Sequence, residues 1–469
     1  MIAKPKLFGT DGVRGVAGKF PLDRDTVFRL GRALGTVLEK RVEKRPLQLV
    51  LGEDTRESSA WISRAIAAGL RAGGVEVGYA GVITTPGVAF LSRRPEFAGG
   101  VMVSASHNPY HDNGIKILSH EGMKLSESVE LEIEAHLDSA WAAASHGQAR
   151  AERSERDGRA TAASDVSLDS APQLDEEYEE FLASLAPAEN RRSRFRVVID
   201  CANGSASRVA PSLMRRLGIE ARVLHGRPDG RNINLDCGSL HPQKMADATR
   251  ASGADLGVAF DGDADRAIFA THEGRVVDGD HVLYAGASFL QEHGELKGGA
   301  VVGTLMTNLG LELALGRRDI DLKRTPVGDK YVLEEMLRSG SNLGGEPSGH
   351  IIFADVSLAG DGIITLLEVL RWMDATGRTL SELVSPVKQF PQIIRNVPVR
   401  ERVPLESIAE VESAVSEFRG EVGSRGRVVV RYSGTEPLAR VMVEAEEADV
   451  VERHAQRIAS AIDAALGIR

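Results

Sequence analysis

Cysteine is nearly absent: Cys201 and Cys237 are the only two in the chain. Two thiols cannot build a disulfide framework or a four-thiolate metal site, and they suit a reducing cytoplasm. A basic excess is missing as well. Lysine and arginine number 57 against 67 acidic residues, a formal charge of -10, which excludes a chain that wraps nucleic acid through general electrostatics. An anionic ligand must therefore meet a local basic cluster. Long apolar runs are lacking too: the uncharged stretch 77–92 covers 16 residues and is broken by Thr84, Thr85, Pro86 and Gly87, short of the roughly 20 apolar residues that span a bilayer. The first 15 residues hold no apolar core of the kind a secretory leader needs. Neither nucleic acid nor membrane is expected as a partner. What is present is ordinary globular composition, 42% hydrophobic and 26% charged over 469 residues, enough for about three domains at roughly 150 residues each.

Val27, Leu30, Leu34, Val37 and Leu38 share one helical face, so the spacing predicts a helix over 25–42. A strand over 47–51, a helix over 58–72 and strands over 75–79 and 100–104 follow, the alternation of a parallel sheet covered on both faces. Residues 140–173 turn to alanine, serine, arginine and glutamate without apolar periodicity and read as a connection between domains. The alternation resumes with strands over 197–200, 221–224 and 256–260 and a helix over 210–217. A third round has strands over 300–305 and 351–353 and helices over 329–338 and 362–373. After Pro391 the pattern becomes helix 405–418, strands 427–431 and 440–444, and helix 450–466. The partition expected is 1–160, 161–272, 273–390 and 391–469, three similar α/β domains and a smaller α+β domain.

Five loops carry candidate chemistry. Asp261-Gly262-Asp263-Ala264-Asp265-Arg266 places three carboxylates at alternate positions after an apolar strand, where they can converge on a hard cation such as magnesium. An EF-hand is excluded, since its required glycine falls on Arg266 and its bidentate glutamate on His272. A solvated acidic turn is the alternative. Ser104-Ala105-Ser106-His107-Asn108-Pro109, followed by Lys116, sets Ser106 beyond a strand end as phosphate carrier or nucleophile, or as part of a turn whose Ser and Asn cap backbone groups. No G-x-S-x-G elbow surrounds it. Phe8-Gly9-Thr10-Asp11-Gly12-Val13-Arg14-Gly15 matches neither the dinucleotide nor the P-loop pattern; it is either a loop that approaches an anion, with Arg14 as the fork, or a plain N-terminal turn. Gly344-Gly345-Glu346-Pro347-Ser348-Gly349-His350 offers a carboxylate, a hydroxyl and an imidazole to sugar hydroxyls, or is a glycine-punctuated turn. Arg431-Tyr432-Ser433-Gly434-Thr435-Glu436-Pro437, with Arg440, can clamp a phosphate or form a hairpin with exposed charges.

In this order, from Phe8 to Arg440, the five loops resemble those of the α-D-phosphohexomutase superfamily, over nearly the whole chain. The resemblance implies three related α/β domains and a smaller α+β C-terminal domain, four domains around one central cleft. It implies Ser106 as the serine that carries the phosphoryl group and that joins Asp261, Asp263 and Asp265 in holding Mg2+. Lys116 is implied as the general base, with Arg14 and His107 beside it. Glu346, Ser348, His350 and Lys330 would face the sugar, and Arg431, Ser433, Gly434, Thr435 and Arg440 the phosphate not undergoing transfer. Thr10 and Arg266 would support them. The resemblance further implies a hexose 1,6-bisphosphate as activator or intermediate, a small-molecule sugar phosphate as partner, and a homodimer as a candidate assembly. Thr325-Pro326-Val327-Gly328-Asp329-Lys330 and the loop after Arg431 look most like the branch that interconverts glucosamine 6-phosphate and glucosamine 1-phosphate on the way to UDP-N-acetylglucosamine and cell-wall precursors. That branch usually has Gln where Pro347 stands and Gly where Ala264 stands. Mannose or glucose phosphates, or sugar-phosphate binding without turnover, are the alternatives.

Overall fold

A computed structural model describes residues 7–9, 11–43, 45–145, 167–187, 194–433 and 437–468, with the backbone alone for 138–145. These form two compact units, Met1–Leu305 with Lys323–Val384, and Met306–Leu322 with Ser385–Arg469.

The first unit holds three sheets. The first contains β1 (Phe8–Gly9), β2 (Gly12–Val16), β3 (Gln48–Glu53), β4 (Glu76–Val82), β5 (Gly99–Val103) and β6 (Asp112–Ser119) in the order β1-β2-β6-β5-β3-β4. In the second, β7 (Arg196–Asp200), β8 (Glu220–Leu224), β9 (Leu256–Phe260), β10 (Ala267–Thr271) and β11 (Val276–Val277) run β11-β10-β9-β7-β8. The third is β13-β12-β14-β15, from β12 (Ala300–Thr304), β13 (Asp321–Thr325), β14 (Leu343–Gly345) and β15 (Ile351–Phe353). All three sheets are mixed, which corrects the expectation of parallel sheets. β3 pairs parallel with β4 and β5, β7 with β8 and β9, and β12 with β14. Each parallel set then gains an antiparallel neighbour: β6 beside β5, β10 beside β9, β15 beside β14. The connections 104–111, 261–266 and 346–350 are too short for a parallel crossover, which needs a dozen or more residues. They are the three loops singled out above.

The periodic segments fold as their spacing requires. Helix Arg24–Arg41 buries Val27, Leu30, Leu34, Val37 and Leu38, and its N-cap Asp23 accepts a hydrogen bond from the Thr26 N–H. The expected connection over 140–173 is shorter than predicted: a helix runs Glu127–Ser145, another begins at Pro172, and 146–166 lie outside the described residues. Helices Gln243–Ser252 and Gly279–Glu292 were not anticipated.

The second unit is α+β. β16 (Gln392–Pro398), β17 (Gly426–Tyr432) and β18 (Leu438–Ala445) form an antiparallel sheet ordered β16-β18-β17. Helix Ala448–Leu466 presents Val451, Ala455, Ile458, Ile462 and Leu466 at helical spacing to a core with Val441, Val443 and Phe418. The helix expected over 405–418 begins later, at Ala409, after a tight turn at Leu405–Ser407. Among the described residues no helix is long and apolar enough to cross a membrane.

Candidate active site

β5 is buried along its whole length, so its end delivers the chain into the interior. Ser104 Oγ donates to Asp54 Oδ2 (2.7 Å) and accepts the Ser106 N–H (2.9 Å). Ser106 lies in the left-handed region at φ 53°. The residue is 1% exposed, and its hydroxyl donates to Asp261 Oδ2 at 2.5 Å. His107 Nδ1 is 3.4 Å from the same hydroxyl. Burial, then the charges of Arg266 and Arg14, pushes the His107 imidazole down to about 4, so it is neutral at pH 7. Arg14, on β2, pairs with Asp11 and reaches Asn108 Oδ1 at 3.4 Å.

The acidic loop hangs between antiparallel β9 and β10, where Phe260 faces Ala267. Asp261, Asp263 and Asp265 are all buried and bring carboxylate oxygens within 4.8 Å of one another. Ala264 bends the loop at φ 58°. Left-handed backbone costs a side chain with Cβ about 1–2 kcal/mol.

Lys116 reaches this loop from β6. Strand alternation sends Ile115 and Ile117 to the core of the first sheet and Lys116 to the opposite face. Its ammonium is 2.7 Å from Asp263 Oδ2, 3.4 Å from Asp265 Oδ2 and 3.6 Å from Asp11 Oδ2. Burial pulls its pKa down, but Asp11, Asp263 and Asp265 outweigh burial and hold it above the ordinary value, so Lys116 is a cation here. Burial raises Asp265, yet Lys116, His350 and Arg266 keep it well below the carboxylate range. Asp261 goes the other way, raised by burial and by its two neighbouring carboxylates. Its Oδ1 accepts the Arg266 N–H at 3.2 Å. Asp263 Oδ1 and Asp265 Oδ1 are buried and have no hydrogen-bond partner. Buried anionic oxygens need a donor or a cation, so two unspent oxygens in an all-oxygen donor set fit a hard divalent ion.

The 346–350 loop faces the same region. Glu346 Oε1 accepts the Gly328 N–H at 3.0 Å, tying this loop to 326–330. Ser348 Oγ is buried without a partner. His350 lies 3.8 Å from Asp265 and 3.7 Å from Asp329. Asp329 pairs with Lys124 (2.8 Å), Lys124 with Asp11 (2.5 Å), and Asp11 with Lys116. The result is a closed ring in which carboxylates alternate with basic side chains: Lys116, Asp11, Lys124, Asp329, His350, Asp265. Sequence reasoning missed Lys124, Asp329 and Thr85, whose hydroxyl donates to Asp263 Oδ2 at 2.5 Å. Lys330 stands outside the ring, 3.9 Å from Glu127. Lys116, Asp265, Lys330 and His350, with Leu118, Met123, Leu125 and Leu333, line a cavity of about 540 Å³, within the roughly 300–1,000 Å³ typical of small-molecule sites.

In the second unit, Arg431 on β17 stands directly opposite Arg440 on β18. Like charges directly opposite each other on neighbouring strands repel. Ser433 is buried and closes the hairpin by donating its N–H to the Leu438 carbonyl at 2.8 Å. Thr10, Gly434 and Thr435 lie outside the described residues.

Comparison with known proteins agrees with the loops. Family models described as phosphoglucomutase/phosphomannomutase alpha/beta/alpha domains I, II and III match residues 5–143, 176–274 and 278–390, and the C-terminal domain of the same family matches 395–461. The chain belongs to the phosphoglucomutase/phosphomannomutase family. It is 48% identical to the phosphoglucosamine mutase of Koribacter versatilis, covering 99% of this chain and 98% of that one. It is 46% identical to the phosphoglucosamine mutase of Solibacter usitatus, covering 98% and 99%. In fold it is similar to a putative phosphomannomutase from Thermus thermophilus (TM-score 0.76, 24% identity, 99% and 100% covered). It is also similar in fold to Aspergillus fumigatus N-acetylphosphoglucosamine mutase in complex with GlcNAc-6P and magnesium (TM-score 0.65, 20% identity, 98% and 96% covered).

Proposed function

We propose that the chain is a cytoplasmic phosphohexomutase that interconverts glucosamine 6-phosphate and glucosamine 1-phosphate by way of a phosphorylated Ser106 and a 1,6-bisphosphate. The observation that carries this reading is the buried Ser106 hydroxyl held at 2.5 Å from Asp261, beside two buried carboxylate oxygens that accept no hydrogen bond. Its relation to the named phosphoglucosamine mutases supports the amino sugar.

With phosphate on Ser106, the 1-hydroxyl of the 6-phosphate attacks phosphorus, the P–Oγ bond breaks, and a 1,6-bisphosphate forms. Lys116 takes the hydroxyl proton in this reading, after its ammonium has passed one proton to the carboxylate of Asp263, 2.7 Å away. The bisphosphate then reverses its orientation, Ser106 Oγ attacks the phosphorus of the 6-phosphate, the bond from phosphorus to the sugar O6 breaks, O6 takes up the proton, and the sugar 1-phosphate is released. Asp261, Asp263, Asp265 and the phosphoserine would hold Mg2+, which when bound neutralises the charge of the phosphoryl oxygens. Arg14 and the neutral His107 border the serine and are the candidates for contacts to the transferring phosphoryl group. Glu346, Ser348 and His350 hold the sugar, and Arg431 and Arg440 grip the second phosphate.

Pro347 favours a second reading, since it offers no side-chain amide and no backbone N–H to the sugar; glucose or mannose phosphates are then the substrates. Parallel assays of glucosamine, glucose and mannose 6-phosphates, with equal Mg2+ and glucose 1,6-bisphosphate, decide between them. A kcat/KM advantage of about tenfold for glucosamine 6-phosphate, about 1.4 kcal/mol, is expected. Preference for glucose or mannose 6-phosphate overturns the amino-sugar assignment.

A further inference from the structure

Ser106 occupies backbone conformation that residues with a side chain rarely adopt, and something must hold it there. Its carbonyl oxygen accepts from Arg56 Nη2 and from Asn234 Nδ2, both at 2.9 Å. The same two nitrogens bind the Asn108 carbonyl, at 2.9 and 3.1 Å. Arg56 Nη1 donates to the carbonyls of Asp112 (3.2 Å) and Pro109. Its Nε donates to Asp54 Oδ2 at 2.8 Å, with neither side chain exposed. Every N–H of the guanidinium is thereby spent, so Arg56 has no donor left for a phosphate. Gly262, inside the acidic loop, closes the third side: a Cβ there would lie 2.5 Å from the Ser106 carbonyl oxygen and 3.0 Å from Asn234 Nδ2.

We propose that Arg56 and Asn234 are positioning residues of phosphoryl transfer, clamping the Ser106 and Asn108 carbonyls so that the Ser106 hydroxyl is presented to Asp261. Neither residue touches the reacting atoms. The clamp ties the serine loop to the segment after β7, because Asn234 is itself anchored by its N–H to the Ala202 carbonyl at 2.9 Å. The inference rests on Ser106 as the phosphoryl carrier.

The test compares wild type with Asn234→Ala and Arg56→Ala. Phosphate uptake at Ser106 from glucose 1,6-bisphosphate is followed by rapid-quench intact-mass spectrometry, alongside steady-state kcat and KM for the sugar phosphate and circular dichroism. Asn234→Ala is expected to keep its fold and its KM within twofold, while kcat and the rate of Ser106 phosphorylation fall together by tenfold or more. Arg56→Ala should fall further and regain at least part of its rate with added guanidinium. Because Arg56→Ala leaves Asp54 buried and unpaired, Asn234→Ala decides the matter if Arg56→Ala fails to fold. Wild-type phosphorylation of Ser106 in folded Asn234→Ala, or a change confined to KM, overturns the clamp alone. A wild-type protein that turns over without phosphate on Ser106 overturns the carrier assignment beneath it.

Discussion

Among the described residues two clusters bring three metal-ligand side chains within 4.8 Å of one another, and both sit in the second sheet. One is Asp261, Asp263 and Asp265, after β9; the other is Asp200, His225 and Cys237, around the end of the neighbouring β7. In the second cluster Asp200 has spent its oxygens: Oδ1 accepts the Ala202 N–H (2.9 Å), and Oδ2 accepts the Gly238 N–H (3.1 Å) and meets His225 Nδ1 (2.9 Å). Burial and the Asp200 charge push the Cys237 thiol up to about 12, so it is no thiolate at neutral pH. That carboxylate is a structural clasp for two turns. In the first cluster two buried oxygens accept no hydrogen bond, and Asp261 carries the repulsion of its neighbours. Proximity of ligand-type residues is common to both; unsatisfied valence belongs to the catalytic candidate alone.

The largest expected effect is on the acidic loop. Asp263→Asn should lower kcat/KM by on the order of a hundredfold to a thousandfold, roughly 3–4 kcal/mol, and weaken Mg2+ binding in a calorimetric titration. Cys237→Ser, measured in parallel, should keep turnover and Mg2+ affinity within about twofold; a shared loss would erase the distinction between the clusters. Next in size, Asp200→Ala should cost about 2–4 kcal/mol of stability, since it leaves buried N–H donors unpaired. The readout is the shift in the urea unfolding midpoint, with Mg2+ affinity unchanged. Smaller still, Ala264→Gly relieves left-handed backbone and should raise the thermal midpoint, by about 0.5–1 kcal/mol of stability, without loss of activity.

The smallest effect tests a carboxylate belonging to neither cluster. Burial raises Glu130 to about 7 from an ordinary 4.5, with Lys330 opposing. The folded state thus favours its protonated form, and the stability this contributes is complete below about pH 4.5 and lost as pH rises through about 7. Glu130→Gln should match wild type in thermal midpoint at pH 4 and exceed it at pH 8. A constant difference at both values would assign Glu130 a role other than titration.

One side of this contrast was legible in the sequence. Alternate carboxylates after the apolar run 256–260, and a serine beyond 100–104, are local patterns, and the structure brings Ser106, Lys116 and the three aspartates together as read. The charge ring was not legible. Lys124 and Asp329 meet at 2.8 Å across 205 positions, and neither belongs to a motif that announces the other. Short strands hid the mixed sheets: Leu343–Gly345 and Ile351–Phe353 carry too few residues for alternation to show direction. Arg56 was overlooked because, Asp54 aside, its partners are backbone carbonyls, which every residue has.

Peptide mass spectrometry of Ser106 before and after exposure to substrate tests the proposed chemistry most directly. The purified protein is loaded with glucose 1,6-bisphosphate and Mg2+, then mixed with glucosamine 6-phosphate. One phosphate on Ser106, discharged as glucosamine 1,6-bisphosphate appears and absent from Ser106→Ala, is the expected result. Wild-type turnover by Ser106→Ala, or turnover with Ser106 never phosphorylated, would contradict it.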